Sequence, residues 1–116
     1  MSDQEWPSEL DAAVASAKHH RVILENEHVR VLETIIEAGE TTSLHTHRWP
    51  AVTYFKSCSE MVRRDDVGNV LMDTRGGNVS DLVGKSVWTP SLGPHTLENV
   101  GSGQISVVTV EVKGAR

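Results

Sequence analysis

A chain of 116 residues is one domain's worth of polypeptide, with no room for a second folded unit beside a full core. Its 16 acidic and 11 basic residues give a formal net charge of -5, and Arg63-Arg64 is the only adjacent basic pair, which argues against nucleic acid as a partner. No apolar run is long enough to span a bilayer, the opening MSDQEWPSEL has no apolar leader segment, and the single Cys58 excludes an intrachain disulfide, so a cytoplasmic protein with no membrane partner is expected.

In chain order, residues 1–20 read as a helical arm. Pro7, followed by Ser8, Glu9, Asp11 and the alanine-rich DAAVASAK, fits the start of a short helix: proline in the first turn needs no amide partner, and acidic side chains there face the positive end of the helix dipole. From Arg21 the composition turns to Val and Ile. RVILENEHVRVLETIIE reads as two strands broken at Glu25-Asn26-Glu27, the second with Val29, Val31, Glu33 and Ile35 on one side and Arg30, Leu32, Thr34 and Ile36 on the other. After a turn at Glu37-Ala38-Gly39-Glu40 come AVTYF (51–55), EMVRR (60–64), VLMD (70–73), SVWT (86–89), HTLENV (95–100) and ISVVTVEVK (105–113), separated by Gly-, Asn-, Asp- and Pro-rich breaks. Many short strands with regularly spaced turns predict an all-β sandwich or barrel, here a single domain over residues 21–116.

Two segments carry chemistry. Residues 39–47 end in a His-x-His pair. In a strand, positions i and i+2 face one side, so His45 and His47 can aim both imidazoles at one point, a starting set for a divalent metal; on its own such a pair is as readily a surface feature. Residues 84–99 place Pro90, Gly93 and Pro94 before His95, with Asn99 four residues on, a tight turn feeding a strand. Beside the upstream pair, His95 becomes the natural third ligand.

Together the segments resemble the cupin family, whose two-part signature is G-x5-H-x-H-x3or4-E-x6-G followed by G-x5-P-x-G-x2-H-x3-N. Gly39, His45 and His47 match the first part, and Gly84, Pro90, His95 and Asn99 the second, with Gly93 displaced by one position. The resemblance implies a double-stranded β-helix, the cupin or jelly-roll barrel, with a short N-terminal helix and a metal at its open end. The family's glutamate ligand would fall at Ala51 or Val52, and its closing glycine at Cys58 or Ser59. What the resemblance implies here is therefore three histidines and no carboxylate, similar to the iron sites of thiol dioxygenases and diketone-cleaving dioxygenases. The expected cofactor is Fe(II), with Mn, Zn, Ni and Cu as alternatives, and the expected activity is dioxygenase-like, on a small anionic or chelating molecule. A non-redox metal-dependent lyase or isomerase and a non-catalytic small-ligand binder are the competing readings.

Around the metal, Arg48 is a candidate clamp for a substrate carboxylate and Tyr54 a candidate donor to bound oxygen, while each also reads as an ordinary surface or core residue. Trp49, Trp88, Met61 and Met72 are expected to line or cap the barrel. His19, His20 and His28 precede the motifs and read as surface residues, with closure over the barrel mouth as the alternative for His19-His20, and Cys58 has no neighbour that would activate it. Glu98 lies on the pleat face opposite His95, so Asn99 is the better candidate to fix that strand by hydrogen bonding. Pairing of exposed edges predicts a homodimer, with VRVLETII and ISVVTVEV as interface strands and the N-terminal arm across the partner.

Overall fold

The computed structural model describes residues 6–114, so the ends of the expected arm (1–5) and barrel (115–116) lie outside the described residues. A 3-10 turn at Ser8–Leu10 and one helical turn, α1 (Ala12–Ala15), lead into β1 (His20–Glu25) and β2 (Val29–Ile36). There follow β3 (His45–His47), β4 (Ala51–Ser57), β5 (Met61–Asp65), β6 (Val70–Asp73), β7 (Ser86–Thr89), β8 (Leu92–Asn99) and β9 (Ile105–Val112). The strands form two antiparallel sheets in the orders β1-β2-β9-β4-β7 and β3-β8-β5-β6. This is the expected all-β double-stranded β-helix with a short N-terminal helix, and among the described residues no helix is long and apolar enough to cross a membrane.

Alternation in the strands sets the inner face. In β2, Arg30, Leu32, Thr34 and Ile36 are buried, the parity the sequence predicts. Register then stacks inward residues in rows across the larger sheet: Arg30 opposite Glu111 opposite Ala51 opposite Thr89, and further along Ile36 opposite Ile105. The Ile36 end is filled by Met61, Ile105 and Val107, with Phe55, Met72 and Leu97 packed against them. The Arg30 end is polar. One end of the barrel is thus a hydrophobic plug that stabilises the fold by removing apolar surface from water, and the other is free to carry chemistry.

Two motif positions are held by backbone geometry. Gly39 and Gly84 both sit at φ +83°, in the left-handed region, so a side chain at either is strained although neither would meet a neighbour. Asn99 is fully buried. Its Nδ2 donates to the carbonyls of Ile36 (2.9 Å) and Gly103 (2.8 Å), and its Oδ1 accepts from the amide of Gly101 (3.1 Å), which ties the turn after β8 to the end of β2.

The expected interface strands are corrected. β2 and β9 are interior, each paired on both sides, so neither has a free ladder to offer a second chain; β1 and β7 are the edges of that sheet. On its outer face, register aligns Leu24, Val31, Val110, Val52 and Trp88 in one apolar row across all five strands. Trp88 belongs to this row, 57% exposed, and does not line the barrel, whereas Trp49, Met61 and Met72 do.

Asn99→Ala removes a buried amide that serves three backbone groups, the Ile36 carbonyl buried and the other two in a turn partly open to water, and is expected to destabilise the protein by about 1–3 kcal/mol. Urea denaturation of the two proteins checks this, and a change below about 0.5 kcal/mol, the scale of an ordinary surface substitution, would contradict it.

Candidate metal centre

Four imidazoles converge at the polar end of the barrel. His45 and His95 face each other across the β3/β8 ladder, with ring centroids 4.3 Å apart. The ladder passes from His45 opposite His95 to His47 opposite Leu92, an irregularity of one residue that falls at Gly93-Pro94, where proline has no amide to give the ladder. His47 lies 5.0 Å from His45 and 5.5 Å from His95. The structure therefore brings together His45, His47 and His95.

The fourth imidazole, His20, was expected at the surface and is corrected to the centre of the site. It opens β1 opposite Thr34, on the inward parity, and its ring lies 4.6 Å from His45 and 5.4 Å from His47. His20, His45 and His47 each offer a ring nitrogen within 4.8 Å of one another. His19 is also buried, against Glu40 at 3.4 Å, while His28 stands at the surface as expected.

Each converging ring is held by the same nitrogen. Nδ1 of His45 donates to the Ser43 carbonyl (2.7 Å), Nδ1 of His95 to the Gly93 carbonyl (2.7 Å), Nδ1 of His20 to the Ser16 carbonyl (3.0 Å), and Nδ1 of His47 to Oε2 of Glu111 (3.2 Å). Three of the acceptors are carbonyls and the fourth is an anion, so in each ring the proton sits on Nδ1 and the Nε2 lone pair is left for a ligand. Burial is the main cause that depresses all four pKa values: His20 and His47 to about 3, His95 to about 2, and His45 below its ordinary range. Among the described residues, His20, His45 and His47 have ring nitrogens close enough together to hold one ion, with the His95 ring beside His45, and neutral, pre-oriented donors of this kind fit a divalent transition metal.

Glu111, which the sequence reading passed over, organises this end of the barrel. It is fully buried directly opposite Ala51, the position at which the cupin resemblance places a glutamate ligand. The carboxylate is thus displaced one strand, where it holds His47 by the far nitrogen. Its Oε1 accepts from Nε of Arg30 (2.6 Å), and Arg30 makes a two-pronged contact with Asp11, Nη1 to Oδ2 at 2.8 Å and Nη2 to Oδ1 at 2.9 Å. Asp11 also caps α1 through the Ala13 amide, so the arm is tied to the metal end by an unbroken polar chain. Burial pushes the Glu111 carboxyl up against the pull of Arg30, and Arg30 holds Asp11 down although burial opposes it.

The two residues expected to act beside the metal are corrected. Tyr54 has the outward parity of β4, 42% exposed, because Ala51, Thr53 and Phe55 take the inner face. Arg48 is exposed, with its guanidinium 4.9 Å from the Trp49 ring and outside the cavity wall. Glu98 pairs with Arg64 at 2.7 Å on the outer face. Cys58 is half-buried against the plug, and burial raises its thiol pKa, as suits an inert cysteine.

Behind the imidazoles a cavity of about 300 Å³ runs between the sheets toward the plug. Its wall is largely apolar, with Ile36, Phe55, Met61, Met72, Leu97 and Val107 among its residues, and beside the neutral histidines Arg63 is its one charged group among the described residues. No carboxylate, tyrosine, lysine or cysteine is part of it among the described residues.

No protein-family model matches the chain, and no curated protein matches it in sequence. Solved structures do. A cupin domain from Bordetella pertussis Tohama I superposes with a TM-score of 0.63 at 21% identity, over 82% of this chain and 92% of that one. An RmlC-like cupin family protein with a double-stranded β-helix fold from Methanocaldococcus jannaschii gives 0.56 at 15% identity, over 80% and 77%. An uncharacterized conserved protein with a double-stranded β-helix domain from Klebsiella pneumoniae gives 0.56 at 20%, over 82% and 76%. The chain has the cupin fold.

In metal-free protein His20, His47 and His95 stay neutral in the fold well below the pH at which the unfolded chain protonates them, and burial lowers His45 in the same direction. The unfolded state binds more protons between pH 6.5 and about 3, so stability falls as pH falls through that window; Glu111, with its raised pKa, opposes this as one group against four. Tryptophan fluorescence against pH should show acid unfolding beginning below pH 6.5, shifted to lower pH in His20→Gln. Stability flat from pH 7 to 4 would contradict the assignment.

Proposed function

We propose that this chain, a cupin by fold, is a metal-dependent enzyme of the dioxygenase type acting on a small anionic or chelating molecule held in the barrel cavity. The observation that carries this reading is the donor set: four neutral imidazoles, each anchored through Nδ1, at the mouth of a mostly apolar cavity. His20, His45 and His47, whose ring nitrogens lie within 4.8 Å of one another, would hold the ion, with His95, its ring facing His45, as a fourth donor. Bound there, Fe(II) would supply activation of dioxygen, and Zn, Mn, Ni or Cu would supply Lewis acidity.

The chain's own residues favour the first chemistry. A lyase or isomerase needs a group that takes and returns a proton beside the substrate, and apart from the imidazoles assigned to the ion the cavity wall offers only Arg63, which is a poor base. What the wall does provide is a mostly apolar bed for an apolar body. The Nδ1 anchors hold the imidazoles in register, and Glu111 and Arg30 keep that end of the barrel rigid.

Protein purified under nitrogen is expected to carry iron and to consume oxygen only when a thiol or diketone substrate is present. Tight zinc or manganese with no oxygen uptake across such a panel would contradict the dioxygenase reading. His45→Ala and His95→Ala should each lose metal at least about tenfold in affinity, while His28→Ala, at the surface, should not.

A further inference from the structure

We propose that Arg63 is the substrate-recognition residue of this cavity, pairing with the carboxylate of a small monoanion whose apolar body lies along the wall toward the plug. The proposal rests on the reading of the cavity as the substrate site and deepens it by naming the group that selects the substrate.

Arg63 lies on β5 with Met61 on the inward parity, and both line the cavity. It pairs across the ladder with Leu97, which is one same-face position from His95 on β8, so its stem starts about 7 Å from that of His95. Its charge is felt at the metal end, where it adds to the lowering of the pKa of His45, His47 and His95. Yet the guanidinium has no counter-ion. Among the described residues no carboxylate forms an ion pair with it, and its buried Nε has no hydrogen-bond partner.

The buried arginine of the barrel shows what a structural role looks like. Arg30, in the same barrel, is satisfied on three nitrogens by Asp11 and Glu111. Arg63 is half-buried, but its Nε is buried without a partner, a cost that folding alone does not require. The wall holds no acid to balance either that charge or a divalent ion beside the histidines, so the balancing anion has to arrive with the ligand. A planar guanidinium matches a carboxylate with two parallel hydrogen bonds, and the largely apolar remainder of the wall selects a hydrocarbon body. A volume of about 300 Å³ corresponds to roughly ten water-sized units, which sets the size of the molecule.

Calorimetric titration of the protein as purified with two matched pairs, butyrate against butyramide and benzoate against benzamide, tests this. The acid of each pair is expected to bind about tenfold or more tightly than its amide, with the preference erased in Arg63→Met and partly kept in Arg63→Lys. Metal content should be unchanged in both variants. Removal of a half-buried charge that has no counter-ion, and of its partnerless buried Nε, should also raise the unfolding midpoint of ligand-free Arg63→Met. Equal binding of acid and amide by the unaltered protein, an undiminished preference in Arg63→Met, or a lower midpoint in that variant would each overturn the assignment. Repeating the titration after chelator treatment separates the two readings: an Arg63-dependent acid preference that survives metal removal supports this inference even if the metal reading fails, and loss of the preference with metal retained sinks this inference alone.

Discussion

Nδ1 hydrogen bonding is the constraint on which the rest of this structure depends. A buried imidazole is a costly group unless one nitrogen finds an acceptor, and a neutral ring has only one proton to give. Here that proton is directed outward in all four rings, to Ser16, Ser43, Gly93 and Glu111. The same bond that satisfies burial decides the tautomer and leaves the second nitrogen for the cavity. Folding and ligand presentation are therefore one requirement, and the depressed pKa values follow from it, since a dry site penalises a second proton on any ring.

Charge placement follows the same logic on a larger scale. The acidic groups that touch this end of the barrel, Glu111 and Asp11, stand behind the histidines and are spent on Arg30 and on capping the arm. None reaches the cavity wall. An anion inside would hold a cation more tightly and repel an anionic ligand; keeping the carboxylates one layer back leaves neutral imidazoles and Arg63 with no counter-charge on the cavity wall. The N-terminal arm belongs to this arrangement and is more than a cover. Ser16 orients His20, and Asp11 reaches His47 through Arg30 and Glu111, so both ends of α1 are coupled to ligand rings.

Much of the barrel was legible in the chain. Alternation in β2 separated its two faces, with Arg30, Leu32, Thr34 and Ile36 on one of them, and the spacing of His45, His47 and His95 placed three rings near one point. The rest depended on long-range register. AVTYF is apolar on both faces, so nothing local tells that Ala51, Thr53 and Phe55 point in and Tyr54 out. Arg48 is adjacent to His47 and so takes the opposite face, a parity argument that neighbourhood in sequence obscures. Glu111 shares the parity of Ile105 and Val107, and Arg63 that of Met61; a charged residue on an inward parity was the available signal for both. His20 had no such signal, because its orientation is set by where one turn of helix delivers the chain and by pairing with Thr34.

The central claim is that four imidazoles, bound through Nε2 and anchored through Nδ1, form a carboxylate-free metal shell. X-ray absorption at the metal edge of the loaded protein tests it most directly, because outer-sphere scattering from imidazole carbons counts the histidines. The expected spectrum fits four imidazoles with no protein carboxylate, and falls to three in His20→Gln. Two or fewer imidazoles, or a carboxylate in the shell, would contradict the account.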